Sequence, residues 1–203
     1  MRQIFIFLLG LPLMALPAAA KTILVFGDSL TAGYGLDAGH AMPDVLQAAL
    51  QKQGSDVKII NAGVSGDTAA QGAARLDWAL TPDVRGIILE LGANDALRGL
   101  APEQTEQALR QILEGAKAKN LPVLILGMKA PPNLGEDYRT KFDMIYTKLA
   151  AEYHQSIYTF YLDGVAAQPE LNQPDGMHPN DKGVALIVSR MLPLVEDFVG
   201  RLP

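Results

Sequence analysis

Short, almost wholly apolar runs alternate along the chain with longer stretches whose apolar residues recur at helical spacing. TILVF (22–26), VKII (57–60), GIILELG (86–92) and PVLILG (122–127) read as strands, with a weaker one at about 156–161. Between them, AMPDVLQAALQKQG (41–54), about 68–80, APEQTEQALRQILEGAKAKN (101–120), about 136–154 and DKGVALIVSRMLPLVEDFV (181–199) read as helices. Gly54 closes the first helix and Pro82 follows the second; the third carries proline at its start, acids early and lysines late, as the helix dipole favours. Trp78, on the 68–80 helix, is expected to face the core. Strands without polar alternation require a sheet covered on both faces. Strict β/α alternation then predicts an α/β fold of three layers, α/β/α, around a doubly wound parallel sheet of about five strands.

Functional residues of such a sheet collect beyond the carboxyl ends of its strands. The segments to inspect are therefore 27–35, 61–68, 92–100, 128–138 and the turn before the last helix. They hold Gly27-Asp28-Ser29-Leu30-Thr31, NAGVSGDT (61–68), GAND (92–95) and DGMHP (175–179). Together these supply a hydroxyl, amide donors, a carboxylate and an imidazole, the parts of an acyl-transfer site. A serine hydroxyl is a weak nucleophile and needs a base, and the His178 imidazole is suited to that near neutral pH. Asp175, three residues earlier in a glycine-containing turn, can fold back on the other ring nitrogen and hold the tautomer. The Ser29 N–H, a glycine N–H from 61–68 and the Asn94 side-chain amide are candidate donors to an oxyanion.

Each signal has a plain structural reading. Ser29 or Asp28 can simply cap a helix, NAG and SGDT are ordinary turn sequences, and Asn94-Asp95 can begin a helix. Their complementary roles at one sheet edge carry the case. His40, in a polar loop, reads as a surface residue, and His154 as a helix-closing cation. The serine motif is not the G-x-S-x-G elbow, because Thr31 takes the place of the second glycine.

Bulk properties narrow the setting. MRQIFIFLLGLPLMALPAAA (1–20) has a basic residue, a short apolar core and a run of alanines, the layout of an export leader cleaved after Ala20. Its apolar core, interrupted by Gly10, Pro12 and Pro17, is too short for a membrane span, so no stable anchor is expected after cleavage. Residues 21–203 are expected to form a single domain, as a monomer. Loss of Arg2 with the leader takes the formal charge from −5 to −6. An acidic chain without a basic cluster is a poor nucleic-acid partner. With no cysteine, disulfides, thiolate metal sites and a cysteine nucleophile are excluded.

Gly27-Asp28-Ser29-Leu30, Gly66 before Asp67-Thr68, Gly92-x-Asn94-Asp95 and Asp175-x-x-His178-Pro179 resemble the blocks of the SGNH (GDSL) hydrolases, across nearly all of 21–203. GDTAAQG, LRGL and QTEQALRQIL resemble the branch of periplasmic thioesterases, lysophospholipases and arylesterases. The resemblance implies Ser29 as nucleophile, His178 as base and Asp175 as its orienter. It also implies Ser29 N–H, Gly66 N–H and the Asn94 side chain as oxyanion hole, selecting Gly66 over Gly63. Segment 96–100 matches a mobile loop over the acyl chain, and 128–135 a substrate-lining loop. Leu30, Asp95, Leu97, Leu100, Met128 and Pro131 are the residues expected at the substrate. Ala93 stands where relatives often carry glycine, and Lys129 where a relative carries arginine.

The reading is a secreted, periplasmic enzyme that cleaves short-to-medium acyl or aryl esters, acyl-CoA-type thioesters and lysophospholipids through an acyl-serine intermediate, without metal or organic cofactor. Two alternatives stand beside it. A carbohydrate O-deacetylase keeps the chemistry but calls for exposed aromatic platforms, which a core-facing Trp78 does not offer. A non-enzymatic doubly wound module, with Asp28 or Asp95 as a phosphoacceptor, leaves the serine, asparagine and histidine unexplained.

Overall fold

The computed structural model describes residues 21–203; the expected leader lies outside them. Five strands, β1 (Thr22–Gly27), β2 (Lys58–Gly63), β3 (Val84–Glu90), β4 (Val123–Leu126) and β5 (Ser156–Tyr158), form one parallel sheet in the order β2-β1-β3-β4-β5. Seven helices connect and cover it: α1 (Ser29–Ala32), α2 (Met42–Lys52), α3 (Ala69–Ala79), α4 (Ala93–Leu97), α5 (Pro102–Ala118), α6 (Glu136–Glu152) and α7 (Asp181–Gly200). α2 packs against α7 on one face, and α3, α5 and α6 follow one another across the opposite face. This is the doubly wound α/β/α architecture, with the reversal of strand order between β1 and β3.

Burial explains which runs became strands. β1 and β4 are buried at every position, and β3 at all but Arg85, because helices cover both sides. β2 runs further than the apolar VKII, through Asn61-Ala62-Gly63, and none of its residues is buried. As an edge strand paired only to β1, its length follows the ladder Thr22↔Lys58 to Gly27↔Gly63 rather than apolar content. β5, the other edge, ends at Tyr158, three residues short of the expected 161.

Helix ends follow local chemistry. Thr68 caps α3 through its side chain, and Gln71 returns the bond to the Thr68 N–H, a reciprocal capping box. The Asn180 side chain accepts from Lys182 and Gly183 N–H at the start of α7. Trp78 corrects the sequence expectation: it is 88% exposed. α3 buries Ala69, Gly72 and Leu76, and two residues past Leu76 is a rotation of about 200°, which turns Trp78 to solvent. Ala93 needs no glycine, because the left-handed φ of 114° in this turn falls on Gly92. His154 follows the end of α6 in a left-handed conformation (φ 53°), and His40 pairs with Asp181 at 3.0 Å on the surface.

The Thr68 box holds the end of the loop that carries Gly66. Thr68→Ala should lower unfolding free energy by about 1 kcal/mol, read as a shift in the urea midpoint at unchanged slope. An unchanged midpoint would show that the cap contributes nothing here.

Candidate active site

The carboxyl edge of the sheet gathers four loops. β1 ends at Gly27 and the chain turns at once into α1. Asp28 is its N-cap, with Oδ1 accepting from Leu30 N–H at 3.0 Å. Ser29 is thus the first residue of a one-turn helix, and its Oγ lies 2.9 Å from His178 Nε2. On the far side of the imidazole, Nδ1 is 2.6 Å from Asp175 Oδ2.

The 175–178 turn is built to hold that contact. Asp175 Oδ1 accepts from Met177 N–H (2.9 Å) and His178 N–H (3.0 Å), while Gln173 N–H donates to His178 C=O at 2.7 Å and closes the base of the turn. The His178 N–H above all, with the Met177 N–H and the imidazole, draws the Asp175 carboxyl down to about 2, against a smaller opposing effect of burial. Asp175 is therefore ionised near neutral pH. The Nδ1 hydrogen points at it, and Nε2 is left to accept from the Ser29 hydroxyl. The Tyr34 ring covers one face of the imidazole, centroid to centroid 4.8 Å, and Gln173 Nε2 holds the Tyr34 carbonyl at 2.7 Å.

Amide donors converge on the same place. Neither the Ser29 N–H nor the Gly66 N–H has a hydrogen-bond partner among the described residues. Gly66 adopts φ +88°, a conformation that side-chain-bearing residues rarely take, and Arg98 Nη2 fixes its carbonyl at 2.7 Å. Asn94 Nδ2 donates to Asp28 Oδ2 and to the Asp67 carbonyl, each at 3.0 Å. Ser29, Gly66, Asn94 and His178 all line one cavity of about 630 Å³. Its other walls are mostly apolar, including Leu30, Leu97, Met128, Pro131 and Phe160, with Lys129 Nζ 4.9 Å from the Phe160 ring centre.

Two residues expected at the substrate lie elsewhere. Asp95 is buried, accepting from Ala69 N–H (2.8 Å) and Thr105 Oγ1 (3.2 Å); it ties α3 to α5. Leu100 is not among the cavity walls; its carbonyl accepts from the Tyr138 hydroxyl at 2.7 Å. Ala93, Asn94, Ala96 and Leu97 of α4 line the cavity, whereas Asp95 turns away to α3 and α5 and Leu100 lies past the end of the helix. Sequence reasoning also missed Tyr34, Arg98 and Glu90. Only Glu90 left a signal, as an acid inside the otherwise apolar run GIILELG.

A three-layer α/β/α protein with a hydroxyl, an imidazole, a carboxylate and amides at the carboxyl edge of its sheet falls in the class of α/β hydrolytic enzymes. Residues 25–186 match the GDSL-like lipase/acylhydrolase family; the chain belongs to that family and is an enzyme of ester hydrolysis. It is 41% identical over 196 residues to thioesterase 1/protease 1/lysophospholipase L1 of Escherichia coli (strain K12), covering 96% of this chain and 92% of that one. It is 41% identical over 172 residues to esterase TesA of Pseudomonas aeruginosa, covering 84% and 86%. Among solved structures, AlinE4, an SGNH-hydrolase family esterase, matches with a TM-score of 0.76 and 46% identity, over 89% of this chain and 97% of that one.

The Asp175 carboxyl is held below its unfolded range, so its contribution to stability is full above that range and is lost as pH falls towards about 2. Carboxyl ¹³C NMR should place the Asp175 midpoint at about 2. A midpoint in the ordinary carboxylate range would contradict the turn described above.

Proposed function

We propose that the protein is an exported, single-domain serine esterase that cleaves carboxylic esters and thioesters of small acyl or aryl groups through an acyl-serine intermediate. The observation that carries the proposal is the unbroken chain Ser29 Oγ–His178 Nε2 and Nδ1–Asp175, at 2.9 and 2.6 Å, opening on an apolar cavity. His178 takes the Ser29 proton as Oγ attacks the carbonyl carbon, and the C=O electron pair moves to oxygen. That oxyanion meets the unpaired N–H groups of Ser29 and Gly66, with the Asn94 amide turned from the Asp67 carbonyl towards it. Collapse of the adduct expels the alcohol or thiol, which takes its proton from His178. Water then repeats the sequence on the acyl-enzyme and frees the acid.

The apolar walls favour acyl and aryl groups over polar ones. The relatives named as thioesterase, lysophospholipase and esterase support the same substrate range. Export rests on the leader at 1–20, and none of the described helices is long and apolar enough to cross a membrane. Within the same chemistry, acetylated sugars are the competing substrate. Trp78 is exposed as that reading asks, yet it lies on α3 and is not among the cavity walls.

A panel of aryl esters from acetate to palmitate, palmitoyl-CoA, lysophospholipid and acetylated sugars distinguishes these substrates. Aryl and acyl esters should be turned over, with Ser29→Ala inactive yet folded and no longer labelled by a fluorophosphonate. Turnover by Ser29→Ala would overturn the nucleophile, and turnover of acetylated sugars alone would overturn the substrate class. Asn94→Ala should lower kcat by roughly 10²–10³-fold with little change in KM, as for loss of one oxyanion donor. An effect confined to KM would remove Asn94 from that role.

A further inference from the structure

Behind the nucleophile lies a pair of acids for which the proposed chemistry has no use. Glu90 ends β3 opposite Gly27 of β1, and both Glu90 and Asp28 are fully buried. Glu90 Oε2 accepts from Asp28 N–H (3.2 Å) and from Thr31 Oγ1 (2.9 Å), whereas Oε1 has no donor among the described residues. Asp28 is saturated differently: Oδ1 takes the Leu30 N–H and Oδ2 the Asn94 amide, each at 3.0 Å.

Among the described residues, no cation pairs with either carboxyl. The Arg75 guanidinium, which reaches the neighbouring Gly27 carbonyl (2.9 Å), is engaged with Asp67 (2.6 Å). Asp95 faces α3 and α5, the buried Tyr146 hydroxyl donates to the Leu91 carbonyl, and Tyr161 is buried nearby; His178 stands towards the cavity. Two fully buried carboxyls, joined through the Asp28 N–H and without a cation, share a proton. Oε2 already accepts twice, so it is the carbonyl oxygen, and the orphaned Oε1 is the one oxygen of the pair free to carry hydrogen.

We infer that Glu90 is a positioning residue in its acid form, whose Oε1–H is donated to the Asp28 carboxylate and so aims the Asn94 amide into the oxyanion site. Burial pushes Glu90 well above the carboxylate range, and the Asp28 charge pushes it further. Burial also lifts Asp28 to about 6, against the pull of Leu30 N–H, Glu90, Asn94 and the His178 charge. Near neutrality the pair holds one proton, on Glu90. A second proton would have to enter an Asp28 oxygen that already accepts an N–H, and the Asn94 or Leu30 bond would be weakened. The inference rests on the acyl-transfer reading of the same site.

Two measurements test it. In carboxyl ¹³C NMR, Glu90 should show the chemical shift of a protonated acid at neutral pH; an ionised shift there overturns the inference, whatever the activity. In kinetics on an aryl ester, Glu90→Ala should lower kcat about tenfold or more with KM unchanged. Glu90→Gln, which keeps an acceptor for Asp28 N–H and Thr31 and a donor for Asp28, should restore kcat to within about threefold of the parent. The acid limb of kcat should stay in place in Glu90→Gln and move to higher pH in Glu90→Ala, where Asp28 has lost its donor. A folded Glu90→Gln as slow as Glu90→Ala, or a folded Glu90→Ala at full kcat, overturns it. If Glu90→Ala does not fold, the NMR state of Glu90 decides. Failure of the parent to label at Ser29 would instead strike the esterase reading, leaving the proton on Glu90 to be judged by NMR alone.

Discussion

The pairing of β1 with β3, in register from Ile23↔Gly86 to Gly27↔Glu90, is the contact on which the site depends. Both strands are central and almost wholly buried, so their relative position is set by the core and not by the loops. Because they are parallel, Ser29 and Asn94 leave the sheet at one edge, where the strand order reverses and the connecting chains diverge. A cleft there costs the sheet no hydrogen bond. Two rigid strand ends thus hold hydroxyl and amide, while Gly66 and the 175–178 turn come in from the flanks.

Three carboxyls near this edge show how environment divides one functional group into different tasks. Asp175 sits in a turn with two N–H groups and an imidazole directed at it, and is held ionised to low pH. Glu90 and Asp28 lie in the core with too few donors for two charges, and burial drives both upwards. The outer carboxylate faces the His178 imidazole, and the inner pair faces the Asn94 amide. The residue type alone distinguishes neither role; the depth of burial, set against the N–H groups around each, does.

Much of this was legible in the sequence, for identifiable reasons. Central strands announce themselves because burial on both faces leaves no room for polar alternation, and the four motifs stood out because a parallel sheet brings its strand ends together. β2 was legible only in part, since an edge strand is defined by its partner's backbone. Trp78 was misread because α3 is helical through its last turn and one residue's phase decides its face. Asp95 and Leu100 were misplaced for a related reason: a short helix directs neighbours to opposite sides, and no periodicity is long enough to fix the phase. Asp28, beside the serine, looked like a cap and is one; that its second oxygen holds Asn94 depends on a tertiary contact 66 positions away.

Ser29 and His178 are separated by 149 positions, one just past the end of the first strand and the other in the last turn before α7. A chain emerging from its amino end therefore exposes the hydroxyl early and acquires the imidazole only when almost everything else has been made. Until the 175–178 turn meets the end of β1, the Ser29 hydroxyl lacks the imidazole that stands 2.9 Å from it in the finished fold. The pairing of hydroxyl and imidazole is thus a property of the completed molecule, and a chain trimmed before position 178 cannot form it.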